Sequence, residues 1–539
     1  MSENVKVARA AGVVGAATLA SRVMGYVRDM AMSWGFGTGF AADAFYVAYR
    51  IPNLLRELLA EGSMSAAFIP VFTETLTRES KESARRLADA VFARLLLLLL
   101  AATALGIIFA PSIVKLIAYG WMDKPEFYDK YLLAVKLTRM MFPYLLFIGL
   151  AALAMGILNS LRSFLAPALS PVMMNVMTIS AVVLSARLIR EPILGVAAGV
   201  VLGGLCQVLI QVPGLRKQGM LPRPAFSTGH PGAGKIARLA APVFFSSSVN
   251  QLNIFIGTIF ASYLATGSIT YLFYGMRFIH FPLGIFGIAI ATAVLPTMSA
   301  QAARREMEAF RETLSMGLRL VFFIMFPAMA GLITLRVPIV NLLLERGKFD
   351  WVSTAGTADA LLFYAVGLWA FAGVRIVAQA FYSLQDTKTP VKTAIIALLA
   401  NIVLSLVLMG PLQHGGLALA TSLAASLNIT LLTKKLRKKI GRMDGKRIFR
   451  SLAKIIPASV AMGAIGWRVS KNAVWTGAGN TLFKAELLLG TVAASAAFYL
   501  LVMWLMRSEE LRFLVEVVRH RKERQRPQAP ASGDGMAGM

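Results

Sequence analysis

Apolar residues in this chain occur in long unbroken runs, not in the alternating pattern of half-buried strands. Four runs, at 95–114, 393–413, 414–433 and 487–506, contain no Asp, Glu, Lys or Arg over twenty residues or more. At about 1.5 Å per residue, twenty helical residues cross a hydrocarbon core of roughly 30 Å. Each run therefore predicts a membrane-spanning helix.

Weaker apolar segments between these runs raise the predicted number of spans to about fourteen. The pattern thus predicts an all-α polytopic membrane protein. The predicted helices cover 8–34, 41–72, 88–118, 132–159, 167–186, 193–213, 240–265, 270–299, 314–337, 358–384, 391–410, 414–433, 451–469 and 482–506.

The basic residues lie mainly in the connectors that follow even-numbered segments and in the C-terminal tail. The positive-inside rule then places both termini in the cytoplasm, which requires an even number of spans. A net charge of +28 in a chain that is 57% hydrophobic is therefore a topology signal, and no nucleic-acid partner is expected. One cysteine and four scattered histidines predict no disulfide and no metal site, and no catalytic constellation or cofactor motif is present.

The chain also resembles itself at an offset of about 225 residues. The most extended match relates 111–120 to 338–347, and three further matches occur in the same order. Two six-helix units with the same orientation should be related by an axis along the membrane normal, with a substrate path between them. The predicted organisation is an N-terminal lobe at 1–225, a C-terminal lobe at 226–440, two extra helices at 441–507 and a basic cytoplasmic tail at 508–539.

Charged residues inside the first segment are the main functional signal. Arg22, Arg28 and Asp29 lie well within it, although a charge at the bilayer centre costs at least about 2.5–3.5 kcal/mol. Such side chains must face a protein interior or a water-filled cavity. Arg22 and Arg28 point in different directions on a straight helix, so a bend is predicted at Gly25.

The second and eighth segments carry further charges. Asp43, Asn53 and Arg56 belong to the second, where Pro52 should kink the helix, and Arg277 with His280 belongs to the eighth. Because the guanidinium group binds phosphate oxygens in pairs and keeps its proton, buried arginines predict a cavity for a polyanion. Arg375 in the tenth segment is a second-tier candidate, and Glu57 to Glu61 could instead be an amphipathic segment outside the membrane.

Several motifs together resemble the MurJ/MviN family of lipid II flippases. They are SRVMGYVRD at 21–29, ADAFYVAYRIPNLLR at 42–56, AEGS at 60–63, MFPY at 141–144, GILN at 156–159 and TPVK at 389–392. The resemblance covers most of the chain and places it in the multidrug/oligosaccharidyl-lipid/polysaccharide exporter superfamily.

This resemblance implies that a disaccharide pentapeptide linked to undecaprenyl pyrophosphate is moved from the cytoplasmic to the periplasmic leaflet of the bacterial inner membrane. Lipid II, membrane lipids and peptidoglycan-synthesis proteins are then the expected partners. Residues matching the family's cavity charges and their polar neighbours are Arg22, Arg28, Arg56, Arg277, Ser21, Asp29, Asp43 and Asn53. The last two helices would form a groove for the lipid tail.

Two departures from the family pattern stand out. Met276 and His280 occupy places where the family can carry acidic residues, and carboxylates of a sodium site are not evident around Asn250 and Asn401. Two alternatives stay open. One is a cation-coupled multidrug or polysaccharide-lipid exporter of the same fold, and the other is a non-transporting scaffold of cell-wall assembly.

Overall fold

A computed structural model describes residues 3–56, 65–225, 230–476 and 479–524. Within these ranges the chain is helical and contains no strand. The helices of the first half are α1 Glu3–Phe36, α2 Phe40–Arg56, α3 Ser65–Arg78, α4 Lys81–Ile108, α5 Ala110–Ile117, α6 Tyr128–Met141, α7 Pro143–Ser160, α8 Leu165–Leu188, α9 Pro192–Leu209 and α10 Val212–Lys217. The remaining helices are α11 Pro231–Ser262, α12 Ser268–Pro282, α13 Ile288–Ala303, α14 Met307–Thr334, α15 Arg336–Leu344, α16 Trp351–Ala365, α17 Leu368–Ser383, α18 Lys388–Ile440, α19 Gly445–Ser470, α20 Thr481–Leu505 and α21 Glu509–Arg524.

The all-α polytopic membrane fold predicted from the sequence is confirmed. In the described ranges, nine helical stretches are long and apolar enough to cross a membrane, or ten if α16 and α17, bent by 42°, form one span. α18 covers two predicted segments, which meet at Gln413, where φ is 51° and ψ is −133°. A total of about fourteen spans is compatible with this arrangement and stays a prediction.

Several segments predicted as single helices are interrupted. α4 and α5 are separated at Phe109, and α6 and α7 at Phe142, each just before a helix with a proline in its first turn. Proline lacks an amide hydrogen and restricts the preceding residue, so it favours the start of a new helix. Between α12 and α13 a π-helical segment, Leu283–Gly287, follows Pro282. α2, in contrast, continues through Pro52, and Glu57 and Glu61 lie outside the described residues.

The order of broken helices repeats along the chain. A long helix followed by a short one occurs at α4–α5 and again at α14–α15, and both short helices contain a proline near their start. A paired break follows at α6–α7 and again at α16–α17. The repeated order agrees with the internal resemblance near 225 residues, while the lobe boundaries themselves stay a prediction.

The tail predicted at 508–539 begins as a docked helix. Arg319 of α14 is 5% exposed, and its Nη1 donates to Glu509 at 2.7 Å and to Glu510 at 2.9 Å. The Ser508 hydroxyl also donates to Glu510 at 2.6 Å. α21 therefore starts with two acidic residues that bind the core.

Hydrogen bonds connect the two halves of the chain at one end of the bundle. We call this the outer end, and it is where α1 ends and α2 begins. The Lys348 amide donates to the Trp34 carbonyl at 3.0 Å, and the Thr38 and Ser353 hydroxyls lie 2.7 Å apart. The Tyr46 hydroxyl donates to Tyr274 at 2.9 Å. The outer end is therefore closed by buried polar contacts.

The start of α18 provides a test of stability against pH. Partial burial alone would raise the pKa of Asp386, but hydrogen bonds from Thr389 and Lys439 lower it from its ordinary 3.8 to about 2. Because the folded-state pKa lies below the unfolded one, Asp386 stabilises the protein above about pH 4, and this contribution is lost as the pH falls toward about 2. We expect Asp386→Ala to lower the free energy of unfolding by about 1 kcal/mol at neutral pH. Unfolding curves over this range should show the difference shrinking as pH falls, and a constant difference would contradict the assignment.

Candidate functional site

Asp29 is the centre of a charged cluster in the membrane-spanning region. It is 3% exposed, and its two carboxylate oxygens bind different arginines. Arg28 donates to Oδ1 from Nη2 at 2.8 Å and from Nε at 3.2 Å. Arg277 Nε donates to Oδ2 at 2.7 Å. One carboxylate therefore serves two guanidinium groups, one from α1 and one from α12.

Tyr26 and Gly25 fix the position of Arg277 against α1. The guanidinium carbon of Arg277 lies 5.4 Å from the centre of the Tyr26 ring, and the Tyr26 hydroxyl donates to the Arg277 carbonyl at 3.3 Å. A Cβ added at Gly25 would lie 2.8 Å from Nη2 of Arg277. α1 is an uninterrupted helix through Gly25. The missing side chain thus makes room for a guanidinium, and the predicted bend does not interrupt the helix.

Arg22 lies on the same side of the bundle, about two turns before Asp29 in α1. It is exposed, and a Cβ added at Gly284 in the π-helical segment would lie 3.1 Å from its Nη1. Arg22 therefore faces the segment that continues the helix carrying Arg277. Arg22, Tyr26, Arg28, Asp29 and Arg277 thus lie along the contact between α1 and α12. We refer to these five residues as the arginine cluster.

A hydrogen bond between Asn175 and Ser21 positions the part of α1 that precedes the arginine cluster. The Asn175 Nδ2 donates to the Ser21 carbonyl at 3.2 Å, which ties α8 to α1 one residue before Arg22. The structure thus gives the Ser21 backbone a role in positioning the helix. A role of its hydroxyl toward a ligand stays a prediction.

His280 and Arg375 extend the polar surface. Both side chains are exposed although both residues belong to apolar membrane-spanning helices. His280 lies three residues after Arg277 on α12, and Arg375 belongs to α17. Ionisable residues at such depth face the protein interior or water.

Arg56 and Asn53 form a separate polar contact at the end of α2. Arg56 Nε donates to Asn53 Oδ1 at 3.1 Å, one turn apart on the same helix. Both side chains are partly exposed and stand next to residues 57–64, which lie outside the described ranges. Their place in the substrate path stays a prediction.

Asp43 has a different environment from the one expected of a ligand-binding carboxylate. It is 1% exposed, and it accepts bonds from Lys130 Nζ and the Gly267 amide at 2.7 Å each. The Thr270 amide and hydroxyl donate to its other oxygen at 3.0 and 2.6 Å. Asp43 therefore joins α2 and α6 to the N-terminus of α12, where a carboxylate also complements the helix dipole. We call this set of four residues the outer clamp, and its acceptors are fully used in this conformation.

Lys130 is the residue that sequence reasoning missed. The predicted fourth segment began at 132, so Lys130 was assigned to a connector. In the structure it lies in the first turn of α6, 1% exposed, with its ammonium 4.8 Å from the Trp121 ring centre. The aromatic residues before it, Trp121 and Phe127, were the available signal for a buried cation.

The chemistry of the arginine cluster follows from its charges. Two guanidinium groups bind one carboxylate and a third belongs to Arg22 on the same helix, so the group carries excess positive charge. Planar guanidinium donors bind phosphate oxygens in pairs, and water remains accessible at Arg22. The arrangement suits a ligand with several negative oxygens.

The family model and the relatives that match this chain carry the same description. A family model described as "Lipid II flippase MurJ" matches residues 32–485. A relative from Vibrio cholerae serotype O1, named "Probable lipid II flippase MurJ", is 38% identical over 499 residues, covering 92% of this chain and 95% of its own length. A relative from Burkholderia cenocepacia, named "Lipid II flippase MurJ", is 34% identical over 503 residues and covers 92% and 97%.

Solved structures give the same picture for the fold. A structure titled "Lipid II flippase MurJ, inward closed conformation" superposes with a TM-score of 0.75 at 26% identity, covering 92% of this chain and 99% of that one. An inward-facing multidrug resistance transporter of the MATE family superposes with a TM-score of 0.65 at 16% identity, covering 78% and 94%. The second likeness concerns the fold alone.

Proposed function

The chain belongs to the MurJ family of lipid II flippases, and on that premise we propose that it moves lipid II across the bacterial inner membrane. One observation on this chain's own residues supports the proposal: Asp29 binds both Arg28 and Arg277. A carboxylate with two cationic partners leaves net positive charge for a third, anionic partner. The pyrophosphate of lipid II supplies such a group.

Arg22, Arg28 and Arg277 bind the pyrophosphate in this proposal, and Asp29 orients two of them. The carboxylate also limits the excess of positive charge, so that the substrate is released again. Arg56 and Asn53 would guide the headgroup from the end of α2. The polyprenyl tail would remain in lipid beside α19 and α20 while the headgroup crosses.

Alternating access requires that the two ends of the path differ. At the outer end the two halves of the chain are joined by the outer clamp around Asp43 and by other buried hydrogen bonds. At the opposite end a contact between the halves joins Glu74 to Lys235 at 2.7 Å, with both side chains about half exposed. Exposed ion pairs contribute only about 0–1 kcal/mol. We infer that this conformation holds the outer end shut by buried polar contacts. The opposite end, which with cytoplasmic termini is the substrate-loading side, combines an exposed ion pair with apolar packing of Ala233 and Ile236.

Two rival functions make different demands on the cluster. A cation-coupled drug exporter of the same fold needs a carboxylate-lined apolar pocket, whereas here one aspartate is bound by two arginines and a third arginine lies on the same helix. A scaffold needs the arginines only for helix packing, yet Arg22 is exposed and so contributes little buried packing. Both observations favour transport of an anion.

A translocation assay tests the proposal. The full chain is reconstituted into vesicles, lipid II with a labelled headgroup is added to one leaflet, and its arrival in the other leaflet is followed. Transport above that of protein-free vesicles is expected, with lipids lacking the pyrophosphate transported poorly. Transport no faster than in empty vesicles, with correctly folded protein, would refute it.

Gly25 gives a sharper prediction about geometry. Gly25→Ala places a methyl group 2.8 Å from Nη2 of Arg277, which must swing away and lengthen its bond to Asp29. We expect translocation to fall by about tenfold, since a charged hydrogen bond contributes about 1.5–3 kcal/mol, while the protein still folds. Gly15→Ala on the same helix is the matched control, because nothing lies within 4 Å of a Cβ there. Equal effects of both substitutions would contradict this role of Gly25.

A further inference from the structure

A cavity of about 700 Å³ lies at the outer end of the bundle, separate from the arginine cluster. Residues from three parts of the chain line it: 124–127 before α6, 263–266 between α11 and α12, and 409–413 at the bend of α18. Ligand pockets in proteins commonly have volumes of about 300–1,000 Å³. The cavity is therefore large enough for a group of disaccharide size.

The lining combines flat apolar faces with hydrogen-bonding groups. Phe127 and Tyr263 contribute rings, while Glu126, Thr266 and Gln413 contribute a carboxylate, a hydroxyl and an amide. Aromatic rings provide rigid apolar area, and a few placed polar groups fix the orientation of a ligand. A sugar ring presents the matching surfaces, because its carbon–hydrogen face is apolar and its edge carries hydroxyl and amide groups.

Gln413 occupies a strained position on the wall of this cavity. Its φ of 51° and ψ of −133° lie in a region where glycine is much easier to accommodate. Gly410 and Gly415 stand close by in sequence, yet a glutamine occupies the strained position itself. Its Nε2 donates to the Gly410 carbonyl at 3.1 Å, which holds the exposed amide at the cavity. Strain of this kind is concentrated at ligand-binding positions.

The cavity is also connected to the outer clamp. Lys130 Nζ lies 3.4 Å from the Thr266 hydroxyl and 2.7 Å from Asp43. Gly267, which follows Thr266 in the chain, donates its amide to the same carboxylate. A ligand that shifts Thr266 therefore acts on the contact that closes the outer end.

We propose that this cavity is a saccharide-binding site, which receives the disaccharide headgroup on the side where lipid II is delivered. The inference rests on the proposed flippase function for the identity of the ligand and its direction of movement. Occupation of the site bears on Thr266 and Gly267 and so couples departure of the headgroup to closure of the outer clamp. The site recognises sugar and amide groups and needs no phosphate.

The test uses a probe without lipid or phosphate, the free N-acetylglucosaminyl–N-acetylmuramyl pentapeptide, added to the full chain in detergent. Binding is measured by saturation-transfer nuclear magnetic resonance and by calorimetry. Tyr263→Ala and Gln413→Gly are each expected to weaken binding by about tenfold. Gln413→Gly removes only the amide side chain and relieves the backbone strain, so loss of binding cannot be ascribed to loss of fold.

Two matched controls lie at the opposite end of the bundle. Tyr382→Ala removes a tyrosine that is similarly exposed, and Gln385→Gly replaces an exposed glutamine that also has a positive φ, of 57°. Unchanged binding in both controls is expected. Equal losses in variants and controls, or no detectable binding to the native chain, would overturn the site.

Arg277→Ala separates this inference from the proposed function. Probe binding that survives Arg277→Ala, while lipid II transport does not, supports both. Probe binding lost in Arg277→Ala but kept in Tyr263→Ala would place the sugar in the arginine cluster and overturn the outer site. Transport kept in Arg277→Ala with probe binding intact would refute the arginine mechanism and leave the outer site standing.

Discussion

Arg277→Ala is expected to reduce lipid II translocation by about 100-fold, because a guanidinium that binds phosphate contributes several charge-assisted hydrogen bonds. Arg277 is the cationic residue that the second half of the chain brings to Asp29, at 2.7 Å. Its removal takes the second half's guanidinium away from Asp29. The assay is leaflet-to-leaflet movement of labelled lipid II in reconstituted vesicles.

The substitution should leave the fold intact, which makes the result interpretable. Asp29 keeps its two bonds to Arg28, at 2.8 and 3.2 Å, so no buried carboxylate loses all of its charge compensation. Arg304→Ala is the matched control, since Arg304 is exposed at the end of the following helix, α13. Arg277→Lys should retain part of the activity because it keeps the charge and loses the planar fork. Native transport in folded Arg277→Ala would refute the arginine mechanism.

Asp43→Ala is expected to lower the free energy of unfolding by about 3–5 kcal/mol, as is typical when one member of a buried ion pair is removed. Lys130 would remain in the interior with 1% exposure and without its carboxylate, and the Gly267 and Thr270 amides would lose their acceptor. Thermal unfolding of the detergent-solubilised chain, followed by tryptophan fluorescence, measures the effect.

A second ion pair formed by the same helix, α6, is the control for this prediction. Lys136 binds Glu191 at 3.0 Å with both side chains more than half exposed. Glu191→Ala should therefore lower the free energy of unfolding by at most about 1 kcal/mol. The combination of Asp43→Asn with Lys130→Met should cost less than the sum of the single changes, because no unpaired ammonium remains. Equal costs for Asp43→Ala and Glu191→Ala would show that the outer clamp does not hold the halves together.

The sequence was sufficient for the fold class because membrane burial imposes long apolar runs. The apolar pattern by itself did not resolve breaks such as Phe142 or the π-helical segment at Leu283–Gly287, since these interrupt a helix without changing that pattern; Pro143 and Pro282 were the available signals. The same pattern placed Lys130 in a connector, because a single lysine ahead of an apolar run normally lies in solvent. Here a carboxylate from another helix makes its burial possible.

The sequence predicted which residue types form the candidate site. It did not predict which arginines pair with Asp29. The cost of charge in a membrane singled out Arg22, Arg28, Asp29 and Arg277 from their positions inside apolar segments. Which arginines share Asp29 depends on a contact between residues 248 positions apart. Gly25 illustrates the same limit, since local rules predict a bend, whereas the structure uses its missing side chain to admit a guanidinium from α12.

The most direct test of the shared arginine cluster is an electron cryomicroscopy map of the full chain with lipid II bound in a lipid nanodisc. The account predicts density for the pyrophosphate within hydrogen-bonding distance of Arg22, Arg28 and Arg277, with Asp29 still bonded to at least one of them. Pyrophosphate density away from these residues, or guanidinium groups turned away from one another around an empty centre, would contradict it.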